Sequence, residues 1–158
     1  MVLLDVATGL RQSELFGLKW KDVDFKNKQL WVIRSILQQV VGKCKTEASQ
    51  KPVPLHDHLI RDLRNWRRKT PYQTPESWVF ASPQNRGTNP YWGQLLRHHI
   101  RPVAQELGIT KRIGWHTFRR TYSTLLRATG AEFKVMQELM RHSTIRSHSG
   151  YLHPSRNQ

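Results

Sequence analysis

Apolar positions follow two regimes along the chain. In the first half they form short runs. Val2 to Ala7 is one, closed by the turn signal Thr8-Gly9. Leu10 to Leu18 reads as a short helix, with Leu10, Leu15 and Leu18 apolar and Arg11 and Glu14 on another face. Val23-Asp24-Phe25 and Leu30 to Ile36 are rich in β-formers, and the second run is the clearest strand of the sequence. Lys51-Pro52-Val53-Pro54-Leu55 predicts a short edge strand, because two prolines would interrupt a central ladder. The polar and basic stretch Gly42 to Gln50 predicts a hairpin loop able to reach a ligand.

From His56 onward the spacing is helical. Leu59, Leu63 and Trp66 recur on one side, with Arg61, Arg64, Arg67 and Arg68 outside. Thr70 to Pro90 is punctuated by prolines and Gly87, so it predicts a loop with a brief extended piece at Trp78-Val79-Phe80. Tyr91 to Leu107, His116 to Ala128 and Phe133 to Met140 predict three more helices, the second stopped by Gly130 just past its end. The fold class is therefore α+β, mostly α with one small antiparallel sheet. Trp20, Trp31, Trp66 and Trp78 are expected as core or core-edge anchors, and Trp115 is expected to set how the chain enters the helix at His116. No repeat or low-complexity tract divides the 158 residues, which read as one domain.

Charge changes the picture most. Lys and Arg number 26 against 11 Asp and Glu, a formal +15, so a polyanionic partner is expected, most simply nucleic acid. A basic structural protein and an anionic-membrane binder are the alternatives. The excess is uneven: residues 111–158 hold nine basic and two acidic residues, against five and four in residues 1–28. The C-terminal third is expected to face the anion. The single cysteine, Cys44, excludes an intrachain disulfide and fits a reducing compartment. No stretch approaches the ~20 apolar residues of a membrane span. The eight histidines lack cysteine partners at zinc-ligand spacing, and no carboxylate cluster suggests another metal.

Several weak signals remain. His116 and Arg119 stand at i and i+3 and so share a helix face, while Phe118 faces elsewhere. Arg11 and Glu14 have the same relation, which alone describes an ordinary surface ion pair worth about 0–1 kcal/mol. Lys45 alone is a solvated loop lysine, and His142 and Tyr151 alone are structural. Their order alters that reading. Thr8-Gly9-Leu10-Arg11-Gln12-Ser13-Glu14-Leu15, then Lys45-Thr46 ahead of Val53-Pro54-Leu55, then His116-x-x-Arg119, then His142, then Tyr151 nine residues later, resembles the catalytic domain of the tyrosine recombinases, the phage integrase family. The resemblance covers residues 1 to about 154.

It implies a tyrosine recombinase catalytic-domain fold over residues 1–158 and a division of labour. Arg11 and Arg119 would clamp the scissile phosphate, with Glu14 orienting Arg11. Lys45 would protonate the departing 5′ oxygen, with Lys43 and Lys51 as competitors for that role. His116 would be a general base or hydrogen-bond donor and His142 a further donor. Tyr151 would be the nucleophile, forming a 3′-phosphotyrosyl link. Arg120, Lys43 and Thr46 would contact DNA; Arg97, His98, His99 and Arg101 form a basic cluster that would either touch the DNA backbone or be a solvated face, and Trp92 would either pack or stack on DNA. No cofactor or metal is implied. The implied partners are double-stranded DNA and further copies of the chain, four in the family, and no membrane. The implied setting is a mobile element in the cytoplasm, at the nucleoid if bacterial or phage.

The sequence departs from the family pattern in places. Arg141 stands where glycine is frequent and Arg120 where histidine is frequent, and Ser147-His148-Ser149-Gly150 replaces a threonine-rich stretch. Arg11 lies near the start and seven residues follow Tyr151, so the chain reads as truncated at both ends, without an N-terminal core-binding domain. The second reading is accordingly a non-catalytic DNA-binding remnant of an integrase. The enzyme reading requires Arg11, Lys45, His116, Arg119 and His142 to converge on a space for one phosphate, within reach of Tyr151.

Overall fold

The computed structural model describes residues 1–37, 40–43, 51–90 and 94–141. The first apolar run is helix α1 (Val2–Thr8), which ends as its turn signal predicts: Gly9 adopts a left-handed φ of 59° and donates its N–H to the Asp5 carbonyl at 2.7 Å. Glycine is required there twice over. The left-handed turn disfavours a Cβ, and a Cβ would also run into the ring of Tyr122. Helix α2 (Gln12–Phe16) follows after three residues. Arg11 is its N-cap, in an extended conformation, and the Glu14 carboxylate accepts the Arg11 backbone N–H at 2.9 Å, half of a capping box.

Among the described residues the strands form two antiparallel sheets rather than the single one expected. Strands β1 (Val23–Asp24), β2 (Gln29–Leu30) and β5 (Val53–Pro54) make one sheet in the order β1-β2-β5, with Leu30 opposite Val23 on one side and Val53 on the other. The proline-flanked strand takes the edge, as expected. Strands β3 (Arg34–Leu37) and β4 (Val40–Lys43) form a separate hairpin, pairing Arg34 with Lys43 and Leu37 with Val40. Gly42 and Lys43 thus belong to a strand and not to the predicted loop; residues 44–50 of that loop lie outside the described residues.

The run Leu30 to Ile36 is shared between the two sheets. Its alternation still decides burial: Leu30, Val32 and Ile36 are buried, which turns Trp31 and Ile33 outward. Trp31 is 40% exposed and is not the core anchor expected. Arg34 fastens the hairpin to the body, gripping both oxygens of buried Asp22 at 2.6 and 3.2 Å and the Gly17 carbonyl at 3.2 Å.

Helix α3 (Asp57–Lys69) buries Leu59, Ile60 and Leu63. Trp66 is 41% exposed, yet its indole N–H donates to the Val79 carbonyl at 2.6 Å, so it anchors the following loop at the core edge. Trp20 and Trp78 are buried as expected. The predicted helix ending near Leu107 has two parts: a π-helical turn (Leu96–Ile100), then α4 (Arg101–Glu106). Pro102 has no N–H for the His98 carbonyl at α spacing, and the helix widens just before it.

Helices α5 (Trp115–Ala128) and α6 (Phe133–Leu139) match their predictions within a residue, and Gly130 takes a left-handed φ of 73° after α5. Trp115, first in α5, packs edge-to-face on Phe16 of α2 and on Phe118 one turn along, with centroids 5.3 and 5.9 Å away. Together with the packing of α1 against α5, this brings the ends of four helices to one place.

Candidate active site

At that place the residues converge around one carboxylate. Glu14, buried in the first turn of α2, holds Arg11 Nη1 on Oε1 at 3.1 Å and Arg141 Nη1 on Oε2 at 3.3 Å. Arg119, in the second turn of α5, reaches across to two backbone carbonyls. Its Nη1 donates to Gly9, at the end of α1, and its Nη2 donates to Met140, at the end of α6, at 2.6 Å. Arg119 therefore clamps both chain turns that carry the other two arginines. The Thr8-Gly9 turn and the approach of Tyr122 are what bring the Gly9 carbonyl into range.

The electrostatics follow from this crowding. Burial pulls the Arg119 guanidinium down to about 10, and the neighbouring Arg11 and Arg141 charges push the same way, against the pull of Glu14 and Asp5. It stays protonated at neutral pH. Asp5 on α1 is fully buried, and neither of its side-chain oxygens has a hydrogen-bond partner. Burial raises its carboxyl to about 7, although the Arg119 charge acts to lower it. The cluster thus sets three guanidiniums against two carboxylates, one of which, Asp5, titrates near neutrality, so it carries excess positive charge. Arg11 is its open member. The side chain is 43% exposed, and among the described residues only its Nη1 is hydrogen-bonded, to Glu14, so the Nε/Nη2 edge keeps its donors. That edge is a two-pronged donor of the kind that matches two phosphate oxygens.

Of the residues singled out in the sequence, Arg11, Glu14 and Arg119 are brought together. His116 lies exposed on the first turn of α5, one turn before Arg119. Arg120 is exposed on α5, and Arg97 and His99 are exposed on the π-helical turn. Among the described residues no hydrogen bond or ion pair joins Arg97 to the cluster. Arg101 donates from Nε to the Ile113 carbonyl at 3.1 Å, which holds α4 to the segment leading into α5. Lys43 ends β4. Lys45, Thr46, Trp92, His142 and Tyr151 lie outside the described residues. Among the described residues no group of His, Cys, Asp or Glu is placed to hold a metal ion, and no helix is long and apolar enough to cross a membrane.

Sequence reasoning missed two members, Arg141 and Asp5. Arg141 is 5% exposed and sits at a left-handed φ of 55° directly after α6, a conformation that favours glycine. Its signal was the arginine standing where glycine is frequent. Asp5 had a signal too, a lone carboxylate inside the apolar run Val2 to Ala7.

A tyrosine recombinase XerC-like protein from Caldanaerobacter subterraneus subsp. tengcongensis is 31% identical over 92% of this chain and 42% of its own length. Tyrosine recombinase XerC from Xanthomonas axonopodis pv. citri is 30% identical over 96% of this chain and 45% of its own. The chain spans less than half the length of these curated relatives. Among solved structures, the Tn1549 transposon integrase in complex with transposon right end DNA superposes with a TM-score of 0.80 at 22% identity, over 98% of this chain and 54% of that one. The XerA recombinase superposes at 0.68 and 20% identity, over 92% and 50%. At such identities the shared property is the fold. The family model described as the phage integrase family matches residues 1–158, the whole length, and this chain belongs to that family.

Proposed function

We propose that residues 1–158 act as the catalytic domain of a site-specific DNA recombinase or integrase, which cuts and rejoins double-stranded DNA through a 3′-phosphotyrosyl intermediate. One observation carries this reading: Arg11 and Arg119, far apart in sequence, meet in one cationic cluster ordered by Glu14 and by carbonyls from two chain turns. Phosphoryl transfer needs positioning and positive charge more than any other contribution, because an anion must approach an anion. Pre-ordered guanidiniums meet that need without reorganising during the reaction.

In the proposed reaction the Tyr151 oxygen attacks phosphorus and the bond to the 5′ oxygen breaks. Lys45 supplies the proton that the leaving oxygen takes up, a contribution typically of 10²–10⁴-fold. A free phenol has a pKa of about 10, so Tyr151 depends on cationic neighbours or on His116 acting as base to lose its proton. His142 donates to a phosphate oxygen beside Arg11 and Arg119. The phosphotyrosyl link conserves the energy of the broken phosphodiester, so attack by a 5′ hydroxyl rejoins the strand without a nucleotide cofactor. Arg120, Lys43, Thr46, Arg97 and His99 hold the flanking backbone. Self-association on DNA and a place in the cytoplasm, at the nucleoid, belong to the same proposal.

The test is a nicked suicide duplex whose downstream piece diffuses away after cleavage. The expected result is a covalent protein–DNA adduct in the wild-type chain that disappears in Tyr151→Phe. Duplex binding with no adduct from the wild-type chain overturns the enzyme reading in favour of a non-catalytic remnant.

A further inference from the structure

Away from the cluster, the outer face of α3 borders an open groove of about 870 Å³. Four arginines line it, Arg61, Arg64, Arg67 and Arg68, and none of its lining residues belongs to α1, α2, α5 or α6. Its one carboxylate, Asp57, is taken by Lys28 at 2.6 Å. The four guanidiniums are held in place, but by neutral groups. Arg67 donates from Nε and Nη2 to the Gln73 carbonyl at 3.1 and 2.8 Å and lies over the rings of Trp20 and Phe25. Arg64 donates to the Phe25 carbonyl at 3.3 Å and covers the other side of the same groove floor, 5.6 Å from the ring centre. Arg68 donates to Asn65, and Arg61 contacts His58. Among the described residues none of the four makes an ion pair. Elsewhere on the surface the chain does neutralise its cations: Lys19 and Lys21 share Glu76.

We infer that this groove is a second anion-binding site, one that takes the phosphate backbone of a nucleic-acid duplex separate from the one held at the cluster. Neutral acceptors and aromatic faces orient a guanidinium without cancelling its charge, so the side-chain ordering cost is met before the ligand arrives. Four like charges so arranged repel one another, and a polyanion relieves that repulsion. Arg61, Arg64 and Arg68, at i, i+3 and i+7, run along ~10 Å of helix at 1.5 Å per residue. One DNA strand carries a phosphate about every 3.4 Å of axis, so the row matches roughly three phosphates. A duplex fits better than an acidic peptide. A duplex presents its charges at the regular spacing the row matches, whereas the carboxylates of a peptide follow no such spacing. The inference does not depend on strand cleavage.

The test uses the whole chain with Arg61→Gln, Arg64→Gln and Arg68→Gln combined, which keeps long polar side chains at exposed positions; unfolding by urea checks that it folds. A bead-bound 20-base-pair duplex loaded with the wild-type chain is expected to capture a second, labelled duplex. The triple variant is expected to lose that capture, and the log–log salt slope of duplex binding is expected to fall by about 2–3. Unchanged capture and slope in the folded triple variant overturn the inference. So does a polyglutamate peptide that binds the wild-type groove more tightly than duplex at equal salt. Loss of the Tyr151 adduct with capture intact would refute the cleavage reading and leave this one standing.

Discussion

The same side chain serves the cluster around Glu14 and the groove on α3 in opposite ways. In the cluster, Arg119 and Arg141 are taken into the body of the protein and meet carboxylates and backbone carbonyls. In the groove, the guanidiniums stay at the surface over aromatic rings and neutral acceptors. Burial makes a guanidinium expensive unless it is paired, so the cluster is ordered, and sensitive to the loss of any member. Exposure makes the groove arginines cheap to keep and individually dispensable. Chemistry at a single phosphate calls for the first arrangement, and tracking a backbone calls for the second.

That contrast sets the size of each expected effect. Arg119→Ala should lower adduct formation on the suicide duplex by about 10²–10³-fold, the usual cost of removing one charge-stabilising donor, whereas Arg67→Gln should leave it within a few-fold. Asp5→Asn comes next, read as stability against pH. The Asp5 carboxyl is raised to about 7 by burial, so below pH 4 both the folded and unfolded chains hold its proton. Between pH 4 and 7 the folded chain keeps a proton that the unfolded chain has released, and stability falls as pH rises. Wild type is therefore expected to lose up to ~4 kcal/mol across that window in urea titrations. Asp5→Asn should remove that slope and be the more stable protein at pH 8; parallel wild-type and variant profiles would refute the assignment.

Glu14→Gln should cost about 3 kcal/mol, because it removes the carboxylate that pairs with the buried Arg141 charge, while Arg11 is open to water and contributes little. The smallest effect is expected at Arg61→Gln, within ~0.5 kcal/mol of wild type in the same titration. A large loss there would mean that the groove arginines are structural and that the contrast is false.

Helices were readable because their signals are local. Thr8-Gly9 marked the end of α1, and Leu59 and Leu63 marked the buried face of α3. The strands were only half readable. Alternation tells which residues of Leu30 to Ile36 share a face, but the choice of partner strand depends on distant segments, so the division between two sheets and the outward turn of Trp31 stayed hidden. Lys43 looked like loop for the same reason, since its place in a strand rests on pairing with Arg34. In the site, Arg11, Glu14 and Arg119 could be named from motif order. Arg141 could not, because its burial arises only when the turn after α6 is brought onto Glu14 of α2.

The bond from Arg119 to the Met140 carbonyl makes position 119 a hinge pin as well as a charge. The chain leaves that carbonyl for His142 and Tyr151, so an altered residue 119 frees the departure point of both. Even lysine, which preserves the charge, cannot span the Gly9 and Met140 carbonyls with one nitrogen as the guanidinium does with two. In the proposed reaction, a slow Arg119→Lys protein would therefore report a misdirected Tyr151 as much as a weakened grip on phosphate.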